Sequence, residues 1–193
     1  MTAKELFAYA LDQATAVVVQ VESGQMRLPT PDTEWDVEAL LRHMMYELAW
    51  VPDMVGGKTV AEVGTVYDGD LLGDDWIGSW RERQILAEKA VDGAGLTDPV
   101  HVSYGDITVE DYLWEVGNDL LIHGWDLGQG IGVSVVFDEA AAQVLYDRAV
   151  ARQDELAGSG LFAPPVPVPA TANVQTKLLA ALGRSENWVD ARR

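Results

Sequence analysis

Within Asp119-Leu-Leu-Ile-His-Gly-Trp-Asp126, a carboxylate, an imidazole and a second carboxylate follow one another at intervals of four and three residues. On an α-helix this spacing sets Asp119 and His123 on adjacent turns of one side and returns Asp126 close to the azimuth of Asp119. The flanking residues Trp114, Val116, Leu120, Leu121, Ile122, Trp125 and Leu127 are apolar, so this helix is expected to lie inside the protein. A bare carboxylate is expensive there and needs a partner, and a cation is one such partner. A buried metal site is therefore the first chemistry these residues suggest.

A second imidazole is available in Ala39-Leu-Leu-Arg-His43-Met-Met-Tyr-Glu-Leu48, where the pattern puts His43 on or near a buried helix face. Two imidazoles and one carboxylate, His43, Asp119 and His123, make a three-ligand set with room left for water or substrate. That is the arrangement of a reactive zinc site, and it also suits non-haem iron(II). Asp126 is assigned a supporting role, accepting a hydrogen bond from a ligand imidazole and so fixing its tautomer. His101 falls on the strand face opposite Val100, Val102 and Tyr104 and is read as exposed, outside the site. Glu47 and Glu115 read as polar-face residues, and the tryptophans at 35, 50, 76, 80, 114, 125 and 188 as core or pocket lining.

These residues need elements to hold them. The first helix is expected over Thr2 to Val21, from apolar positions at intervals of three and four. The second is expected from the N-cap Asp36 to about Val55, with Trp35 and Leu40 placed for a hydrophobic staple, and with a bend at Pro52. An acidic, Gly-rich connection leads to a third helix from about Asp74 to Val91. A short extended segment near 99–105 precedes Thr108, which with Asp111 starts the fourth helix, the one carrying Asp119 and His123; Gly128 to Gly132 stops it. A fifth helix runs from Asp138 to about Leu156. Ala163-Pro-Pro-Val-Pro-Val-Pro169 then forms an extended strap, followed by a short helix from Gln175 to Leu182. The reading is mostly α: a four-helix bundle with a long crossover between its second and third helices, in one domain over 1–193, the bundle about 1–157 and a C-terminal extension about 158–193.

Composition excludes several functions. With 31 acidic and 13 basic residues the formal charge is −18, which argues against nucleic acid and against anionic membranes. No apolar run approaches the ~20 residues of a membrane helix, and the N-terminus lacks the marks of a signal peptide, so a cytoplasmic location is expected. The chain has no cysteine, so any thiol chemistry uses a thiol supplied from outside.

Taken in order, Glu34-Trp-Asp-Val-Glu-Ala-Leu-Leu-Arg-His43, Ile122-His-Gly-Trp-Asp-Leu127, Phe162-Ala-Pro-Pro-Val-Pro-Val-Pro169 and Leu178-Leu-Ala-Ala-Leu-Gly-Arg184 resemble the DinB-like metal-binding superfamily. The nearest branch is the metal-binding N-terminal domain of mycothiol-dependent maleylpyruvate isomerase. The resemblance implies a four-helix bundle that holds a divalent metal, zinc or nickel, at positions matching His43, Asp119 and His123. It also implies a transferase or isomerase that uses a low-molecular-weight thiol such as mycothiol on a small electrophile, in a bundle that pairs as a homodimer. A metal-dependent hydrolase and a non-catalytic binding or sensor module are the alternatives. Two departures argue against maleylpyruvate isomerisation itself: Asp119 stands where the isomerase is expected to carry Glu, and only a strap and a short helix follow Leu156 in place of a larger second domain. Arg42, the one basic residue near the ligands in sequence, is turned away from His43 by its helical position.

Overall fold

Side-chain caps set where each helix begins. In the computed structural model, which describes residues 1–154 and 163–189, the Thr2 hydroxyl accepts from Glu5 N–H and the Glu5 carboxylate accepts from Thr2 N–H, a reciprocal cap on α1 (Ala3–Val18). Asp36 accepts from Ala39 N–H at 2.9 Å to start α2 (Val37–Val55). A four-residue helix α3 (Val60–Val63) lies in the crossover, and Asp75 caps α4 (Trp76–Gly93). Thr108 caps α5 (Val109–Ile131), Asp138 caps α6 (Glu139–Ala151) and Asn173 caps α7 (Val174–Ala181). Each cap satisfies backbone N–H groups that have no partner within the helix.

Helices α1, α2, α4 and α5 form the bundle. The most extensive packing is α1 on α5; α2 lies against both α4 and α5, and α4 closes the ring on α1. Leu6, Leu11, Leu40, Met44, Leu48, Leu113, Leu120, Trp80 and Trp125 are fully enclosed by this arrangement. The α1–α5 seam is close because α5 offers glycine there. A Cβ at Gly124 would sit 3.3 Å from Ala14 Cα, and one at Gly117 would sit 3.1 Å from the Leu6 side chain. Gly124→Leu is therefore expected to push the two helices apart and to cost about 1–3 kcal/mol of stability, read as a lower urea midpoint with unchanged slope.

The extended segment expected near 99–105 is present and goes further, as a hairpin of two antiparallel strands, β1 (Pro99–Val102) and β2 (Gly105–Thr108), with Pro99 opposite Thr108 and His101 opposite Asp106. The second strand was hidden because Thr108 both ends it and caps α5. The stop of α5 falls on the last of the glycines expected to end it. The helix runs through Gly128 and Gly130 and ends at Gly132, whose φ of 79° is left-handed. Gly128 and Gly130 serve packing instead: a Cβ at Gly128 would meet Val135 at 2.6 Å, and one at Gly130 would meet the Pro29 carbonyl at 3.1 Å.

Helix α2 runs through Pro52 and ends three residues later. Helix α6 ends at Ala151, and the expected end at Leu156 lies outside the described residues, as does Phe162. From Ala163 the strap has no regular structure, and its Val166 N–H donates to the Ala180 carbonyl at 2.9 Å, tying it to α7. Helices α6 and α7 pack on each other beside the bundle. Among the described residues no helix is long and apolar enough to cross a membrane.

Candidate metal centre

Helices α2 and α5 face each other at the level of His43 and Asp119. His43 Nε2 lies 3.5 Å from Asp119 Oδ2, and His123 Nε2 lies 3.3 Å from Asp119 Oδ1. The two imidazole rings meet edge to face with centroids 4.9 Å apart. One ligand atom from each of the three residues falls within 4.8 Å of the others, so residues distant in the sequence converge on one point.

Two atoms at that point are shielded from solvent and lack a hydrogen-bond partner among the described residues: His43 Nε2 and Asp119 Oδ2. Buried polar atoms are ordinarily paired, so an orphaned nitrogen facing an orphaned carboxylate oxygen marks where a cation fits. The Asp119 side chain as a whole keeps 32% of its surface exposed. The atom aimed at His43 is covered while the carboxylate remains reachable from outside.

The electrostatics follow from this crowding. Burial by itself raises a carboxyl pKa, yet Asp119 is held well below the usual carboxylate range, because the charge of the adjacent His123 and then the nearby His43 imidazole outweigh burial. Burial by itself lowers the His123 pKa, and Asp119 followed by Asp126 reverses that, pushing it up to about 10. In the absence of a metal, a proton on His123 supplies the positive charge that the site demands.

Asp126 lies behind His123, fully buried, with Oδ2 3.2 Å from His123 Nδ1. Asp126 is bonded in turn by Arg184, whose Nη2 donates to Asp126 Oδ2 at 2.9 Å and is 3.2 Å from Asp32 Oδ2. Asp32, His123 and Asp126 form a second convergent group, but the guanidinium stands against both of its carboxylates. Arg184 is a residue that the reading of the sequence missed: it lies 58 positions from Asp126, and no local spacing links them. Trp35, read as core lining and staple, also belongs here. Its ring lies 4.5 Å from that of His43 and 5.5 Å from that of His123, held by the turn in which Thr30 Oγ1 donates to the Trp35 carbonyl at 2.8 Å.

Glu47, read as a polar-face residue, is half-buried one turn beyond His43. Burial, and then the Asp119 charge, push its carboxyl pKa up, against the pull of His43 and His123. Tyr112 is buried on α5, and burial followed by the Glu47 charge pushes its hydroxyl pKa up. Glu115 is partly exposed and accepts from the Tyr104 hydroxyl, away from the ligand atoms. Arg42 is 44% exposed, and its guanidinium pairs with Glu38 at 3.0 Å and Asp70 at 2.6 Å.

His101 stays out of the cluster. Its Nδ1 lies 2.8 Å from Asp106 Oδ1 across the hairpin, and it joins neither convergent group. A His101→Ala variant is expected to bind as much metal as the wild type, checked by elemental analysis of the two purified proteins.

A cleft of about 400 Å³ opens beside His43, lined by Arg42, Tyr46, Tyr67, Asp68 and Leu71. The crossover between α2 and α4 supplies its outer wall, and Trp50 packs against both tyrosines, with ring centroids at 5.7 and 6.0 Å. A smaller cleft of about 240 Å³ between α1 and α4 has Asp12, Glu88 and Asp92 as its ionisable lining and no imidazole.

Residues 7–128, more than half of the chain and including all three converging residues, match the family described as the mycothiol maleylpyruvate isomerase N-terminal domain. The chain belongs to this family. Membership makes it a DinB-like metal-binding domain, and the helical bundle agrees with that fold. The matched segment ends just beyond Asp126, so Arg184 and the strap lie outside it. Comparisons with curated proteins and with solved structures gave no significant match.

Proposed function

We propose that this protein holds one divalent metal through His43, Asp119 and His123 and uses it in a thiol-dependent transfer or isomerisation of a small electrophile. The observation that carries the reading is the pair of unpartnered, shielded atoms, His43 Nε2 and Asp119 Oδ2, at the point where the His123 imidazole also arrives. Two imidazoles and one carboxylate are a donor set suited to zinc in a reactive site, with nickel and iron(II) as further candidates. A divalent cation held there lowers the pKa of a thiol or water that reaches it, which supplies a nucleophile near neutral pH.

The remaining work falls to the chain's own residues. Asp126 accepts from His123 Nδ1 and so keeps Nε2 free for the metal. Tyr46, Tyr67 and Leu71 give the electrophile an aromatic and apolar wall next to His43. Glu47 holds a proton beside the site at a higher pH than an ordinary carboxyl does. Because the chain has no cysteine, the thiol must arrive as a co-substrate of the mycothiol type. Arg42 is already paired with two carboxylates, so it offers little to a dicarboxylate, and the electrophile differs from maleylpyruvate on this reading. We place the protein in the cytoplasm, where thiols are kept reduced, and in a homodimer on the resemblance alone; sedimentation velocity checks the dimer.

The test is an activity screen of the zinc-loaded protein with and without mycothiol. Turnover of an epoxide, a halo-nitrobenzene or an α,β-unsaturated carbonyl that needs both metal and thiol is the expected result. Hydrolysis that proceeds without thiol would replace the transferase reading by a metal-dependent hydrolase. A protein that binds metal yet turns over none of these pairs would be a binding module.

A further inference from the structure

Arg184 is almost fully buried, at 8% exposure, and it touches three parts of the chain. Its Nε lies 3.3 and 3.4 Å from the two Asp126 oxygens, its Nη2 lies 2.9 Å from Asp126 Oδ2 and 3.2 Å from Asp32 Oδ2, and its Nη1 donates to the Leu182 carbonyl at 3.0 Å. Asp126 belongs to α5, and Asp32 to the turn that carries Trp35 over both imidazoles. A fully buried carboxylate is tolerable only where a partner answers its charge. The guanidinium is that partner.

The backbone that delivers Arg184 is specific. Helix α7 ends in a turn in which Gly183 N–H donates to the Ala180 carbonyl at 3.1 Å and Arg184 N–H to the Leu179 carbonyl at 2.8 Å. This is a Schellman closure, with Gly183 at the left-handed φ of 78°. A Cβ on Gly183 would meet the Ala163 carbonyl oxygen at 2.7 Å, so the strap presses on this turn. Arg184 is thereby aimed back into the bundle.

We infer that Arg184 is a positioning residue of the metal centre, and that cation binding and docking of residues 174–184 are coupled through the chain Arg184–Asp126–His123. This rests on the metal reading above. An ionised Asp126 carboxylate accepts from His123 Nδ1, so Nε2, which faces Asp119, is the nitrogen left to bind a cation once its own proton is displaced. Arg184 fixes the carboxylate from two nitrogens, and a carboxylate left to rotate would release the imidazole with it. Coupling of this kind is reciprocal: what the docked segment adds to cation affinity, the cation adds to docking.

The experiment measures zinc affinity by competition with a chromophoric chelator in the full chain, for the wild type, Arg184→Gln and Arg184→Lys. Loss of a residue that orients a ligand from behind lowers metal affinity by about 10–100-fold. That loss is expected for Arg184→Gln, with a smaller one for Arg184→Lys, which keeps the charge but cannot span both carboxylates. Hydrogen exchange at the Gly183 and Arg184 amides is expected to slow on adding zinc to the wild type. The cobalt-loaded form supplies a readout that weakened folding alone would not move. At saturating cobalt its visible spectrum should change in Arg184→Gln and stay that of the wild type in Leu178→Ala, which weakens the same helix without touching Asp126. Wild-type zinc affinity in Arg184→Gln, or equal spectral change in Leu178→Ala, would overturn the proposal while leaving the metal reading in place. A wild type that binds no zinc would overturn both. Should Arg184→Gln fail to fold, Arg184→Lys decides alone, and unchanged affinity there counts against the proposal.

Discussion

His123→Ala is expected to remove the bound divalent ion altogether. Purified wild-type protein should carry close to one zinc per chain after exhaustive desalting, and the variant should carry almost none. The expected effect is large because His123 serves the site from both sides of its ring: Nε2 lies 3.3 Å from Asp119, and Nδ1 is held 3.2 Å from Asp126. Its loss deletes a ligand and leaves two carboxylates without their shared partner, one of them fully buried. Since removing an orienting residue alone weakens metal binding by about 10–100-fold, the fall in zinc affinity here should exceed that range. His43→Ala is expected to act likewise, through the loss of the one nitrogen contributed by α2. Elemental analysis and chelator competition check both variants; a His123→Ala protein that retains one ion per chain would refute the ligand assignment.

Removing the metal should lower thermal stability in a manner that depends on pH. A ligand present at about 100 times its Kd adds about 2.7 kcal/mol to the native state. For a chain of this size each kcal/mol moves the melting temperature by about 2–4 °C, so chelation should lower it by about 5–10 °C, measured by scanning calorimetry. In the metal-free protein, His123 has a folded pKa near 10 against an ordinary value of 6.5. Its ion pair with Asp119 therefore contributes fully below pH 6.5, and the contribution fades as pH rises toward 10. The Asp119 pKa is shifted the opposite way, below its ordinary 3.8. Its contribution is present above that value and is lost as the solution becomes more acidic. Metal binding displaces the His123 proton, so zinc affinity should increase with pH across the interval in which the metal-free form weakens. The stability gap between loaded and stripped protein should accordingly be wider at pH 9 than at pH 6; a constant gap would mean that His123 gives up no proton on binding.

The legible parts of the site and those that stayed hidden have different physical origins. Asp119, His123 and Asp126 could be placed because helical periodicity is local, and the run from Leu120 to Leu127 leaves little choice of environment. Caps were equally readable at Asp36, Thr108 and Asp138, where a short polar side chain precedes an apolar pattern. Trp35 was recognised as apolar lining, but its place over the imidazoles depends on the turn at 29–36, closed by the bridge from Pro29 to Asp36, and no periodicity specifies that. Arg184 is the extreme case: its role exists only once the C-terminal segment has folded back, and its partners are supplied by α5 and by the N-terminal turn. Glu47 reads as a polar-face residue and is half-buried, but its nearness to the Asp119 charge on α5 depends on how the helices pack, which its own neighbours do not specify. Gly128 and Gly130 belong to a residue type that commonly ends helices and are used here for close packing.

The junction at Thr108 has a consequence for how this domain tolerates length changes. A single residue closes the two-stranded sheet and opens the helix bearing Asp119 and His123, so no spacer stands between them. Because successive residues on an α-helix are about 100° apart, deleting one amino acid here must either unravel the hairpin or spin the chelating side chains away from the interior. A deletion among residues 64–73 would instead disturb the cleft wall at Tyr67 and Leu71 and the Arg42–Asp70 pair, while leaving the rotational phase of Asp119 and His123 unchanged. Indels introduced at these two places would thus separate damage to the chelating side chains from damage to the wall beside them.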